Sequence, residues 1–160
     1  MNERMPISRM GFIRLRKELE QLERRERHDV IRAIEVAREH GDLKENAEYH
    51  AAKERQGFIE ARIAMIEGKL SFAQVIDLSQ VENRGRVVFG SKVTLLNLET
   101  DEQVMYHIVG EDEADLTQRK ISISSPMVRA IIGKEVDQEV VVATPGGEVE
   151  YLIESVDYGN

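Results

Sequence analysis

The sequence predicts an α+β protein: an N-terminal antiparallel α-helical coiled-coil hairpin followed by a small antiparallel β-sheet with one short helix. Three observations carry this. No proline lies between Pro6 and Pro126, and the first half of that interval is rich in the helix formers Glu, Arg, Lys, Ala and Leu. Apolar residues recur there at helical spacing and then give way, near Phe72–Gln74, to short β-branched runs. Between the two helical segments, His40-Gly41-Asp42-Leu43-Lys44-Glu45-Asn46 sets a helix stop beside a helix start, the signature of a sharp hairpin apex.

Ser8 is placed to cap the first helix. Its apolar stripe is Leu15, Leu19, Leu22, then Val30, Ile34 and Ala37. The step from Leu22 to Val30 is eight residues, with Glu26 midway, and this breaks heptad spacing. The second helix is regular. Tyr49, Ala52, Gln56, Ile59, Ile63, Ile66, Leu70 and Ala73 alternate three and four apart, which is a coiled-coil seam facing one partner helix. The short connection makes the first helix that partner, antiparallel to it. Arms of about 30 residues give a rod roughly 45 Å long at about 1.5 Å per residue. The small residues Ala33, Ala37, Ala47, Ala51 and Ala52 are expected to keep it narrow near the apex.

The second half reads as strands at 75–78, 86–89, 92–98, 104–109, 121–123, 139–143 and 149–153, each β-branched and bounded by turn signals. Thr144-Pro145-Gly146-Gly147 is a turn. Pro126 starts a short helix ending near Ile132, with Ser124 or Ser125 as its cap and Gly133 as its stop. The expected domains are 1–74, the hairpin, and 75–160, the sheet.

Composition excludes several classes of function. The chain has no Cys, so disulfides and thiolate metal sites are ruled out. His28, His40, His50 and His107 show no metal-ligand spacing. No apolar run approaches the ~20 residues of a membrane span, and no secretory signal pattern opens the chain; a soluble, cytoplasmic protein without membrane partners is expected. Residues 1–74 hold 15 Lys/Arg against 14 Asp/Glu, and residues 75–160 hold 7 against 16. The acidic second half is poorly suited to bind phosphate backbones by itself.

The apex carries two carboxylates, Asp42 and Glu45, which admit two readings. Asp42 at an N-cap with Glu45 three residues on would form a capping-box-like pair. Alternatively, both point off the apex and bind a divalent cation. Hard ions such as Mg²⁺ take carboxylate oxygens and often only one or two from protein, so further ligands would come from another molecule. Arg38, Lys44, Lys53 and Arg55 lie within about three helical turns of the apex. Singly they read as solvated helix surface; together they could guide a nucleic-acid strand toward it. Tyr49 sits at a seam position. His40 suits the negative end of the first helix.

The stretch Ala37-Arg38-Glu39-His40-Gly41-Asp42-Leu43-Lys44-Glu45-Asn46-Ala47-Glu48-Tyr49-His50-Ala51-Ala52-Lys53-Glu54 resembles the hairpin-tip signature of the bacterial Gre transcription elongation, or transcript-cleavage, factors, in their GreA branch. Residues 108–115, 121–126, 132–135 and 144–148 are similar to that family's C-terminal domain, and the likeness runs in order through essentially the whole chain. It implies an FKBP-like second domain that docks on the rim of the RNA polymerase secondary channel, against a polymerase coiled coil. The hairpin then passes down the channel to the active site and stimulates the polymerase's own endonuclease on backtracked RNA. The protein would be no enzyme itself and would act as a monomer. Carried over by position, the paired acidic residues are Asp42 and Glu45, holding no metal alone but sharing Mg²⁺ with the polymerase. Arg38, Asn46, Tyr49 and Lys53 would contact the nascent RNA near its 3′ end. At position 53, Lys replaces a frequent Arg and loses bidentate phosphate contact. Ser124, Ser125 and Pro126 would form the docking loop. Two rivals remain: a channel-binding regulator that inhibits polymerase without cleavage, and an FKBP-like prolyl isomerase. The second is disfavoured by the few aromatics of the second half, Phe89, Tyr106, Tyr151 and Tyr158.

Overall fold

The structure, a computed structural model, describes residues 4–159. Contacts divide the chain into two units. One comprises Phe12–Ala73; the other joins Met5–Gly11 to the chain from Gln74 onward.

The first unit is a helical hairpin. Its leading arm begins as α1 (Arg9–Gln21) and ends as α2 (Arg27–Arg38); its returning arm is α3 (Ala47–Phe72). Between α1 and α2, Leu22–Glu26 form one π-helical turn, in which the Arg27 N–H donates to the Leu22 carbonyl five residues back. This turn resolves the eight-residue step in the apolar stripe. Eight residues of ideal α-helix rotate a side chain about 80° off the seam. A π-turn absorbs one extra residue, so Leu22 and Val30 behave as if about seven apart. Both are buried.

The seam is closed by Leu15, Leu22, Val30, Ile34 and Ala37 from the leading arm against Ala52, Ile59, Ile63 and Ile66 from α3. Of the small residues expected to narrow the rod, Ala37 and Ala52 are buried, whereas Ala47 and Ala51 face solvent. Two arginine–carboxylate pairs bridge the arms. Arg62 grips Glu18 at 2.6–3.3 Å, and Arg27 grips Glu60 at 2.7–2.8 Å. The Arg27–Glu60 pair raises the arginine pKa and lowers the carboxyl's, chiefly through the hydrogen bonds between them.

The second unit is a five-stranded sheet in the order β5-β4-β3-β7-β6, built from β3 (Lys92–Asn97), β4 (Gln103–Val109), β5 (Lys120–Ser122), β6 (Glu139–Thr144) and β7 (Gly147–Asp157). Its neighbours are antiparallel except β4 and β5, which run parallel through a connection containing two 3₁₀ turns. Pro145 and Gly146 turn the β6–β7 hairpin. β7 carries one extra residue opposite Thr94 and Leu95, a bulge at Glu154. The helix α4 (Pro126–Ile131) packs Val128 and Ile131 into a core with Val93, Leu95, Ile108, Ile121, Val140, Val142 and Ile153.

Two strand assignments differ from the sequence pattern. The run 86–89 makes a single bridge, Arg86 to Glu135, and then turns through Ser91, whose buried hydroxyl donates to the Val88 carbonyl at 2.6 Å. Val87 and Phe89 are apolar because they line the core, not because they pair in a ladder. The run near residue 75 forms β2 (Ala73–Ile76), which pairs with β1 (Met5–Ser8) in a separate two-stranded ribbon. β1 carries no strand signal in the sequence, because Pro6 and its short length hide it.

Candidate functional site at the hairpin apex

Residues 39–46 connect α2 to α3. The last turn of α2 tightens: the N–H groups of Glu39, His40 and Gly41 donate to carbonyls three residues back. Gly41 then adopts φ +105°, open to glycine and hostile to a side chain, and reverses the chain.

The N-cap of α3 is Asn46, not Asp42. Its Oδ1 accepts from the Tyr49 N–H at 3.0 Å, while its Nδ2 donates to the Ala37 carbonyl at 2.6 Å. One amide thus caps the returning arm and ties it to the end of the leading arm. His50 adds a second clasp, its Nε2 donating to the Lys44 carbonyl at 2.9 Å. This corrects the capping-box reading of Asp42 and Glu45. The helix starts four residues later than that reading requires, because Asn46 also satisfies a carbonyl of the other arm, which a carboxylate cannot do.

Both acidic side chains are therefore released from helix termination. Among the described residues, Asp42 Oδ1 accepts only from the Lys44 N–H, at 3.0 Å, in a local turn. Glu45 makes no hydrogen bond or ion pair among the described residues, and both residues are exposed. Together with His40, Asn46, Ala47 and Glu48 they line an open concavity of about 410 Å³. Glu48 lies 3.6 Å from His40 Nε2. No group of three or more His, Asp or Glu among the described residues converges as a metal cage. The donor set is hard oxygen, as Mg²⁺ prefers, but a cation at this apex would need ligands from elsewhere.

Of the other residues singled out, Arg38 and Lys53 are exposed, and Tyr49 is half-buried. The Arg38 guanidinium lies 6.0 Å from the Tyr49 ring centroid. Lys53 Nζ donates to Gln56 at 3.2 Å. The Ser124-Ser125-Pro126 loop belongs to the second unit. Ser125 Oγ caps α4 by accepting from the Val128 N–H at 3.2 Å, Ser124 Oγ lies 2.8 Å from Ser122 Oγ, and Pro126 is exposed.

Two features of the second unit carried no signal in the sequence. Glu113 accepts from the Ser8 hydroxyl and N–H and from the Gly110 N–H, and so holds the residue that caps α1. A Cβ on Gly11 would strike the Glu113 carboxylate, its Cδ at 2.6 Å. His107 is half-buried, and its Nε2 donates to the Gly90 carbonyl at 3.1 Å. Burial, then the Lys92 charge beside it, push its pKa down.

Residues 5–75 match the family described as "Transcription elongation factor, N-terminal", and residues 82–158 match "Transcription elongation factor, GreA/GreB, C-term". The chain belongs to the GreA/GreB family and is a transcription elongation factor of that family. It is 57% identical over 156 residues to transcription elongation factor GreA of Yersinia pestis bv. Antiqua, covering 98% of this chain and 99% of that one. GreA of Haemophilus influenzae is 54% identical with the same coverage. Among solved structures, the GreA factor homolog 1 (Gfh1) of Thermus thermophilus aligns over 96% of this chain and 99% of its own, at 28% identity and a TM-score of 0.44.

Proposed function

We propose that this protein binds RNA polymerase, enters its secondary channel hairpin first, and stimulates the polymerase's intrinsic endonuclease on backtracked RNA. The observation that carries this reading is the release of Asp42 and Glu45 from capping: Asn46 does the structural work, and two carboxylates are left facing solvent at the apex. In this reading the protein supplies ligands and position, and the polymerase supplies the catalytic centre. Asp42 and Glu45 would offer oxygens to a Mg²⁺ ion shared with the polymerase. Such an ion, when bound, lowers the pKa of a coordinated water and offsets charge on the phosphodiester.

Arg38 and Lys53 meet the RNA backbone with positive charge, and Tyr49 offers a ring face already lying against Arg38. Asn46 acts through the apex conformation, since both its polar atoms are engaged within the hairpin. Ser124, Ser125 and Pro126 form the docking loop, with Pro126 as its exposed contact. The working form is a monomer.

The test is a purified bacterial polymerase halted in a backtracked state with 3′-labelled RNA. Addition of the protein with Mg²⁺ is expected to release short labelled fragments. Asp42→Asn/Glu45→Gln is expected to lose that release while still binding polymerase. Fragments from the double variant, or binding and inhibition without any RNA shortening, would sink the cleavage reading; the second result would make the protein a channel-occupying inhibitor.

A further inference from the structure

The seam accounts for one face of α3 only. On the opposite face, Gly57, Phe58, Ala61, Ala64, Met65, Gly68, Ser71 and Phe72 span an arc of about 140° that contains no charge from residue 57 to 72; Lys53 and Glu54 close it at its N-terminal end. Phe58, Met65 and Phe72 are spaced seven apart and are 68%, 44% and 37% exposed. Neither Gly57 nor Gly68 has any atom within 4 Å of where a Cβ would stand, and neither has a positive φ. The fold of the chain itself therefore does not require either glycine, although each weakens a helix interior.

The face is ordered from side to side. Reading around the helix at about 100° per residue, acidic Glu60 and Glu67 come first, then the small residues Gly57, Ala61, Ala64, Gly68 and Ser71. The large residues Phe58, Met65 and Phe72 follow, and basic Arg55, Arg62 and Lys69 come last. A two-fold axis parallel to α3 sets the acidic, small side of one copy against the large, basic side of the other. Large side chains then enter the spaces over the glycines and alanines, and Arg55 and Arg62 meet Glu60 and Glu67 of the other copy. Arg62 and Glu60 are 40% and 47% exposed even with their partners across the hairpin. An antiparallel pairing would set like charges against each other. We infer that α3 carries a second, self-complementary seam through which two copies of this chain associate side by side, parallel and in register.

A face of about four and a half turns, roughly 24 Å long and 10 Å wide, falls well short of the ~800 Å² per partner of a standard stable interface. The association is therefore weak and reversible, consistent with a monomeric working form. It does not rest on the cleavage reading, because every residue invoked lies off the apex.

Sedimentation of the full chain from micromolar to near-millimolar concentration is expected to show the mass rising from 18.3 kDa toward twice that value. Phe58→Glu/Met65→Glu is expected to stay monomeric throughout with unchanged helix content, since neither residue packs in the hairpin seam. Because the chain has no cysteine, Ala61→Cys, at the centre of the face, is expected to form disulfide-linked dimers under mild oxidation, as a parallel, in-register pair sets the two positions against each other across the two-fold axis. A mass of 18.3 kDa at every concentration, a dimer that survives Phe58→Glu/Met65→Glu, or a dimer that Ala61→Cys fails to cross-link would each overturn the inference. The first of these would leave the face to a helix of another protein.

Discussion

At the scale of single residues, the apex separates helix termination from its two exposed carboxylates. Asn46 holds the turn and Asp42 and Glu45 do not, so substitutions should divide accordingly. Asp42→Asn/Glu45→Gln is expected to leave thermal stability within about 0.5 kcal/mol of the parent, since both sites are exposed and Asn keeps the Oδ1 that accepts from the Lys44 N–H, while cleavage in the labelled-RNA assay is lost. Asn46→Ala should cost about 1–2 kcal/mol by removing a cap, with the loss seen as faster amide exchange in the first turn of α3. Gly11→Ala pushes the Glu113 carboxylate away from Ser8 and Gly110, and loss of those hydrogen bonds is expected to destabilise the second unit by about 0.5–1.5 kcal/mol, measurable by urea unfolding. His107 gives a pH signature. Its folded pKa lies below the ordinary value because burial and Lys92 oppose the charged form. The unfolded chain therefore takes up a proton first, so this stability is present above about pH 6.5 and is lost as pH falls through the folded pKa. His107→Gln should flatten the thermal midpoint between pH 7 and 5.5.

At the scale of elements, the π-turn at Leu22–Glu26 is the feature most open to test. It holds one residue more than an α-helix needs, and the seam on both sides depends on that count. Deleting Arg24, exposed within the turn, should convert it to ordinary α-helix and keep Leu22 and Val30 on one face. Stability is expected to stay within about 1 kcal/mol. Deleting Glu35 instead rotates Ala37 about 100° off the seam and should unravel the apex end of α2. Circular dichroism melts distinguish the two. Equal damage from both deletions would mean that the turn is not what sets the register.

At the scale of the whole molecule, two cores serve two tasks. The hairpin core is a single line of aliphatic contacts between two arms; the sheet core is closed by α4 and by residues between 87 and 156. Each unit should respond to damage in its own core. Leu95→Ala is expected to cost about 2–5 kcal/mol and to expose sheet amides to exchange while amides around Ile59–Ile66 keep their protection. The charge is divided similarly. The hairpin half is close to neutral and carries the basic residues near the apex, whereas the sheet half is strongly acidic. In the proposed mechanism, RNA contact therefore falls to the hairpin and docking to the sheet unit.

The sequence by itself determined what depends on neighbours along the chain. Helical spacing defined both arms, because burial of one face imposes a period of about 3.6 residues. Gly41 fixed the apex, Ser125-Pro126 fixed the start of α4, and Pro145-Gly146 fixed the last hairpin. The likeness through residues 37–54 marked the candidate residues, since apex chemistry is held within one contiguous stretch. The tertiary structure decided what depends on partners distant in sequence. The choice of Asn46 over Asp42 as the cap rests on the carbonyl of Ala37, nine residues back on the other arm. The eight-residue step became a π-turn only because α3 offers Leu22 and Val30 a common face. Glu113 holds Ser8 across 105 residues of chain, and Val87 and Phe89, β-like in pattern, line a core without joining a ladder. In each case the deciding partner is a hydrogen-bonding group or a buried surface that folding alone brings into reach, and local spacing carries no record of it.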